Sequence, residues 1–476
     1  MTNLNEPLCE EQRHEEKGLQ RSLKDRHIQL ISIGGAIGVG LFLGSAKAIS
    51  KAGPSLLVAY AFAGLAVFFI MRALGELLVH RPVAGSFATY AEEYVSPWAG
   101  FVTAWTYWFM WVATGMVEPT AVGIYFHYWF PNLPQWIPAL GTLALLYGTN
   151  MIAVRAFGEL EFWFALIKVV TIVATLVIGL AAIVFGFGHL GQSASFSNLW
   201  AHDGFVPKGI VGIVMTLQFA CFAYAGVELI GVTAGEAQNP EKILPRATNS
   251  ITFRILVFYI GALAVIMSLI PWNELDPDMS PFVQVFMKMG VPAAAGIINF
   301  VMVSAAASAG SSGIFSTGRM LYALAQRKQA PAVFGKLSKS RVPAAGISAS
   351  VTLMLIGVVI NYFSPGEAFT YIASIVTVGA LWTWGIIVWA HLKYRRAVKR
   401  GEAAAVSFRM PGAPYANWFV LAFLSLVIVL LATDDATRVA LYVAPLWFAL
   451  LSVGYSLAKP DANDKAFSSK RYDKTC

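Results

Sequence analysis

The chain has 476 residues, 57% of them hydrophobic and only 13% charged, against roughly 45 to 50% apolar and about 25% charged for soluble domains. That composition all but excludes a soluble globular protein. The formal charge of +8 would favour nucleic-acid binding in a soluble chain, but here the basic residues sit in loops between apolar runs, so topology accounts for them and no nucleic-acid partner is expected.

Runs of about 17 to 25 apolar residues bounded by polar or Pro/Gly punctuation predict an all-α membrane protein. Twelve transmembrane helices are expected near 28–50, 54–79, 98–126, 136–154, 160–187, 209–234, 249–271, 293–325, 343–363, 367–394, 415–433 and 438–457. A tail at 1–27 precedes this domain at 28–457, and a second tail follows at 458–476. The stretch from Glu10 to Arg26 mixes acids and bases, so no removable signal peptide is expected. One set of loops and both tails hold 28 Lys and Arg, the opposite set only Lys47, Lys51, Lys208, Lys288 and Arg438. By the positive-inside rule both termini lie in the cytoplasm. Cys9, Cys221 and Cys476 are too far apart for a metal or redox spacing.

Two spans are unusual in corresponding places. The first contains Gly34-Gly35-Ala36-Ile37-Gly38-Val39-Gly40, and the sixth contains Ala223-Tyr224-Ala225-Gly226-Val227-Glu228-Leu229-Ile230-Gly231. Glycine-interrupted helices at matching positions of two halves point to an inverted-repeat transporter with its site at the membrane midplane. Close helix packing through small residues is the competing explanation. Unwinding a helix in lipid frees N–H and C=O groups, which is tolerated where they line a cavity or are buried in protein. A zwitterion can satisfy both kinds. The half-helix start at Val39 and Gly40 offers amides and a positive dipole end to a carboxylate, while carbonyls near Ala36 and from Phe222 to Ala225 can accept from an ammonium.

Matching motifs run almost end to end: Arg26-His27-Ile28-Gln29-Leu30-Ile31, the glycine-rich break through Leu41-Phe42, Ala52-Gly53-Pro54-Ser55, Met71-Arg72-Ala73-Leu74-Gly75-Glu76, Phe157-Gly158-Glu159-Leu160-Glu161-Phe162-Trp163-Phe164, Glu228-Leu229-Ile230-Gly231, Glu236-Ala237, Asn239-Pro240-Glu241-Lys242 and Arg319-Met320-Leu321. On these residues the chain resembles bacterial amino acid permeases of the amino acid–polyamine–organocation superfamily. The subfamily is that of the alanine/glycine/D-serine, threonine/serine, proline and aromatic carriers. The resemblance implies a five-plus-five inverted repeat with broken helices 1 and 6. Its repeats would lie at about 28–187 and 209–394, with two extra helices at about 415–457. It also implies import of an amino acid together with a proton across the bacterial inner membrane, without a cofactor. Many relatives carry Thr where this chain has Val39, so the amide survives there and a hydroxyl is lost.

The substrate-binding set expected is Ala36, Ile37, Gly38, Val39, Gly40, Phe222, Ala223, Tyr224, Ala225, Ser304 and Ser308. By resemblance Phe222 is the aromatic gate that closes over substrate; ordinary ring packing competes. Ser308 follows Ala305, Ala306 and Ala307, so close helix packing accounts for it equally well. Ser374 and Thr377 are similar in kind. Three intramembrane charges are candidates for proton coupling: Lys168, Glu228 and Glu118. Lys168 lies seven residues beyond Glu161, roughly 10 Å further along the axis, where a charge is costly and proton exchange becomes a candidate role. By resemblance it is the family's fifth-helix lysine, at the place that sodium occupies in related carriers. Snorkelling to the interface is the alternative. Glu228 could titrate within the sixth-helix break or brace it, and Glu118, beside Pro119, could face substrate or a neighbouring helix.

No phosphate-binding loop and no His-Glu-x-x-His occur, so ATP-driven transport and metalloenzyme activity have no support. The small residues Ala36, Val39 and Ala225 are compatible with alanine, glycine, serine, threonine or proline as substrate. A histidine or aromatic carrier and an amino acid:amine exchanger remain as alternatives.

Overall fold

The computed structural model describes residues 37–83, 85–152, 154–186, 193–233, 245–246, 248–250, 253, 255–338 and 342–458. Ala36 and both tails lie outside them. Among the described residues the regular structure is helical throughout. The helices are α1 Val39–Phe42, α2 Gly44–Ala52, α3 Leu56–His80, α4 Ser86–Tyr94, α5 Pro97–Phe126, α6 Trp136–Ile152, α7 Val154–Phe185, α8 Gly209–Tyr224 and α9 Leu229–Thr233. A π-helical stretch, Ile255–Gly261, runs into α10 Ala262–Leu269. Then follow α11 Pro281–Lys288, α12 Pro292–Gln326, α13 Ala344–Phe363, α14 Pro365–Arg400, α15 Tyr415–Leu431 and α16 Asp435–Ala458. Among the described residues, eight helical stretches are long and apolar enough to cross a membrane. Their outward faces carry large apolar side chains such as Val170, Val177, Ile210, Leu446 and Leu450, a surface suited to lipid and not to water.

Most helices fall within the expected runs, but α4 and α11 lie between them, in the gaps at 80–97 and 272–292, and two ends differ informatively. α14 continues six residues past the expected 394, to Arg400, and Gly401 closes it at φ +75° with its amide on the Ala397 and Val398 carbonyls. Lys399 and Arg400 in that last turn face the negative end of the helix dipole, so the charges that end the apolar run also prolong the helix. α7 likewise begins at Val154, ahead of the expected 160.

α5 is the hub. Ser96 caps it by accepting from the Ala99 amide, Pro97 opens it, and it packs against α12, α14, α13, α6 and α4. Such proximity needs small residues opposite large ones. A Cβ on Gly115 would lie 2.4 Å from the Met354 methyl, and one on Gly357 would lie 2.6 Å from Met116.

At the end of the bundle where the basic loops gather, Glu76 on α3 is buried among donors from α14 and the loop that follows it. Oε2 accepts from His391 Nε2 at 3.0 Å and from the Met410 amide at 2.6 Å, while Oε1 lies 3.0 Å from Arg395 Nε. Asn417 Nδ2 reaches both the Val388 carbonyl and His391 Nδ1. The carbonyl orients the Asn417 amide as donor, so His391 Nδ1 accepts from it while Nε2 faces Glu76.

At the opposite end Lys51, at the close of α2, pairs with Asp434 between α15 and α16 at 2.5 Å. Partial burial pushes the Asp434 carboxyl up, but the bond and charge of Lys51, together with the Ala436 and Thr437 amides, outweigh it and hold the group below its ordinary 3.8. A depressed carboxyl contributes stability that is present above the unfolded value and lost as pH falls through the folded one. The wild type should therefore melt slightly above Asp434→Asn at neutral pH, by at most about 1 kcal/mol of stability because the pair is half in solvent. Melting curves in detergent should show that advantage constant down to pH 3.8 and vanishing below it.

Candidate functional site

Non-helical backbone occurs here at two places, the first at Ile37 and Gly38, where the described chain begins. Gly38 is extended at φ −127° and ψ −163°, α1 makes a single turn, and the chain re-enters a helix at Gly44 after Leu43. The second lies between α8 and α9. Ala225 leaves the helix at ψ 138° and Gly226 takes φ +97°, a left-handed conformation that a side chain would resist. The two interruptions touch. A Cβ on Gly40 would stand 2.7 Å from the Ala223 Cα, against backbone that cannot swing aside.

The groups released by these interruptions find partners inside the protein. The Val39 amide donates to the carboxylate of Glu118 on α5, whose Oε1 lies 3.2 Å from a Cβ built on Gly38. The Ala223 carbonyl accepts from the Tyr259 hydroxyl at 3.0 Å. Glu228, inside the second break, accepts from the Gly226 amide at 3.2 Å and from the Trp384 indole at 3.0 Å.

Lys168 is 1% exposed. It shares a face of α7 with buried Ala165, Thr171, Ile172 and Thr175, whereas Ile167, Val170 and Val173 face outward, the two stripes of an amphipathic membrane helix. The side chain therefore turns into the bundle and does not snorkel. Its ammonium donates to Ser308 Oγ at 3.2 Å and acts electrostatically on Glu118. Glu118, Lys168, Ser308 and the start of α1 thus form one cluster drawn from α5, α7, α12 and α1. Glu228 is elsewhere in the break and does not join it.

Phe222 sits against the first break, 3.3 Å from a Cβ built on Gly40 and 3.6 Å from one on Gly44. Its ring meets Phe369 of α14 edge-on at 5.8 Å, and both rings line a small cleft with Gln218, Thr370, Ser374 and Thr377. Tyr224 faces elsewhere. Two residues along a helix is a turn of about 200°, so its ring packs between Tyr60 and Tyr259, and its hydroxyl donates to the Tyr60 carbonyl at 3.0 Å. Ser304 spends its proton on the Val301 carbonyl. Ile37 is buried and Ala225 half-buried beside the two breaks. Sequence reasoning missed Trp384, Tyr259, Phe369 and Gln218. Only Gln218, an amide inside an apolar run, carries a signal that hydropathy could have flagged.

Long apolar helices, with the non-helical backbone at Gly38 meeting the break between α8 and α9 beside a buried lysine and carboxylate, define a polytopic membrane protein. The chain belongs to the amino acid permease family, whose model matches residues 27–465. It is 52% identical to the uncharacterized amino acid permease YtnA of Bacillus subtilis over 92% of this chain and 94% of the relative. It is 48% identical to the probable threonine/serine transporter YbxG of the same organism, over 92% and 95%. To the D-serine/D-alanine/glycine transporter of Escherichia coli K12 it is 46% identical, over 94% and 96%.

The contact between the breaks sets a steric test. Gly40→Ala must part α1 from α8, at about 1–3 kcal/mol for overpacking a tight contact, and should lower both the melting temperature of the purified protein and its uptake of substrate. Gly44→Ala, whose Cβ would make ordinary contact with Phe222 at 3.6 Å, should be tolerated in both assays.

Proposed function

We propose that this permease imports a small neutral amino acid, such as alanine, glycine, serine, threonine or proline, together with a proton. The fold would be twelve spans, in two inverted five-helix repeats at about 28–187 and 209–394 followed by two extra helices, with the basic end in the cytoplasm of a bacterial inner membrane. The observation that carries this reading is the meeting of the two interrupted helices beside Glu118, Lys168 and Ser308. Backbone N–H and C=O groups at such a place are complementary to an amino acid's carboxylate and ammonium. The printed names of two relatives, a probable threonine/serine and a D-serine/D-alanine/glycine transporter, support a small substrate.

In the proposed cycle the zwitterion enters from the end of Lys51 and Asp434 and binds between the breaks. Its carboxylate meets the first turn of α1, where it competes with Glu118 for the Val39 amide. Phe222 closes against it. Glu118 and Lys168 change protonation as the amide changes partner, which ties proton movement to substrate binding, and rocking of the first, second, sixth and seventh spans opens the cytoplasmic side.

Uptake of radiolabelled amino acids into proteoliposomes, with and without an inward proton gradient, tests the proposal. Uphill uptake of a small neutral amino acid that collapses with an ionophore is expected. Lys168→Ala should lose accumulation by a factor of roughly 5 to 150, the usual range of coupling between two sites, while still exchanging labelled for unlabelled substrate. Uptake indifferent to the gradient but dependent on preloaded amino acid or amine would replace symport with exchange.

A further inference from the structure

Beyond the Phe222–Phe369 rings, away from the interruption at Gly38, lies a polar station that the cycle above does not use. Gln218 stands one turn before Phe222 on α8. It is 3% exposed, lines the cleft, and has no hydrogen-bond partner for either Nε2 or Oε1, whereas buried amides are normally satisfied. Thr370, next to Phe369, lines the same cleft and accepts from Lys47 Nζ at 3.1 Å.

Gly44, Lys47 and Lys51 fall on one face of α2, at i, i+3 and i+7. Gly44 abuts Phe222 and Lys51 is paired with Asp434. Lys47, between them, is half-buried, and among the described residues no carboxylate pairs with it. Lys47 therefore has a neutral hydroxyl as its partner and donors to spare, and through Thr370 it borders the cleft that Gln218 lines with a free donor and a free acceptor.

We propose that Lys47 and Gln218 form a charge-selecting antechamber on the outer side of the aromatic gate, which receives the carboxylate of an arriving neutral amino acid and rejects amino acids with cationic side chains. The inference rests on the orientation and entry route given above. The carboxylate takes the spare donors of Lys47 and Gln218 Nε2, and the substrate ammonium turns to Gln218 Oε1. A lysine or arginine would bring a further positive charge toward Lys47 in a half-buried cleft where water and salt screen it poorly. Lys47 thus acts on specificity, ahead of the binding site between the breaks.

The test is competition during uptake of the neutral amino acid that the wild type carries, with excess serine or excess lysine as competitor. Wild-type uptake should be inhibited by serine and not by lysine. Lys47→Gln should shift the ratio of the two inhibition constants toward lysine by on the order of tenfold, and Lys47→Arg should keep the wild-type ratio. Gln218→Met should raise KM for the neutral substrate without admitting lysine. Should Lys47→Gln fail to reach the membrane, Lys47→Cys serves instead: a thiol reagent bearing an ammonium restores rejection of lysine, and a neutral reagent of the same size does not. An unchanged ratio in an active Lys47 variant, or a neutral reagent that restores rejection, overturns the antechamber while leaving the transport reading intact. A wild type that carries no neutral amino acid, or prefers lysine, overturns both.

Discussion

A polypeptide inside a bilayer core has no water with which to complete its backbone hydrogen bonds, and each group left open there costs several kcal/mol. That constraint governs the centre of this molecule. The protein itself answers the non-helical backbone at Gly38 and the break between α8 and α9: Glu118 takes the Val39 amide, Glu228 the Gly226 amide, and Tyr259 fills the Ala223 carbonyl. Glu118 belongs to α5 and Tyr259 to the π-helical stretch, while Glu228, within its break, is held by Trp384 of α14, so the non-helical segments keep their shape only while those three elements stay in place. A substrate that offers its own carboxylate and ammonium then competes with groups already engaged, and binding is felt in the helices that supplied them.

The second requirement is proximity. Gly40 meets Ala223 backbone to backbone, and the glycines of α5 and α13 each receive a methionine from the other helix. In lipid the apolar side chains of a helix gain little by leaving the bilayer for another helix, so association depends on close van der Waals fit. Glycine and methionine are a suitable pairing, one making room and the other shaping itself to it. The same fit gives α5 its many neighbours and holds Glu118 at a defined depth.

The helices were legible because hydropathy is a local property: residues 98–126, for instance, were expected as a span and form a helix from Pro97 to Phe126. The breaks were legible for the same reason, since glycine lowers the cost of leaving a helix wherever it occurs. Pairings across the bundle were not. Nothing near Glu228 in the chain announces Trp384, 156 residues away, and nothing near Glu118 shows that Lys168 and Ser308 lie on the facing stripes of other helices. Sequence left Glu228 either to titrate or to brace its break; in the structure it is bonded to that break and to Trp384, and Glu118 is the acid beside the lysine. Tyr224 was grouped with Phe222 by nearness in sequence, and helical geometry turns the two apart.

The cluster around Glu76 bears on how the molecule responds to voltage. Its carboxylate faces the Arg395 guanidinium and meets His391, which Asn417 of α15 also reaches, so one acid and one guanidinium share a buried site. A membrane potential does work only on net charge that moves through it. Moved as a unit, this pair carries no net charge through the field, whereas parting Glu76 from Arg395 separates opposite charges and makes that step sensitive to voltage.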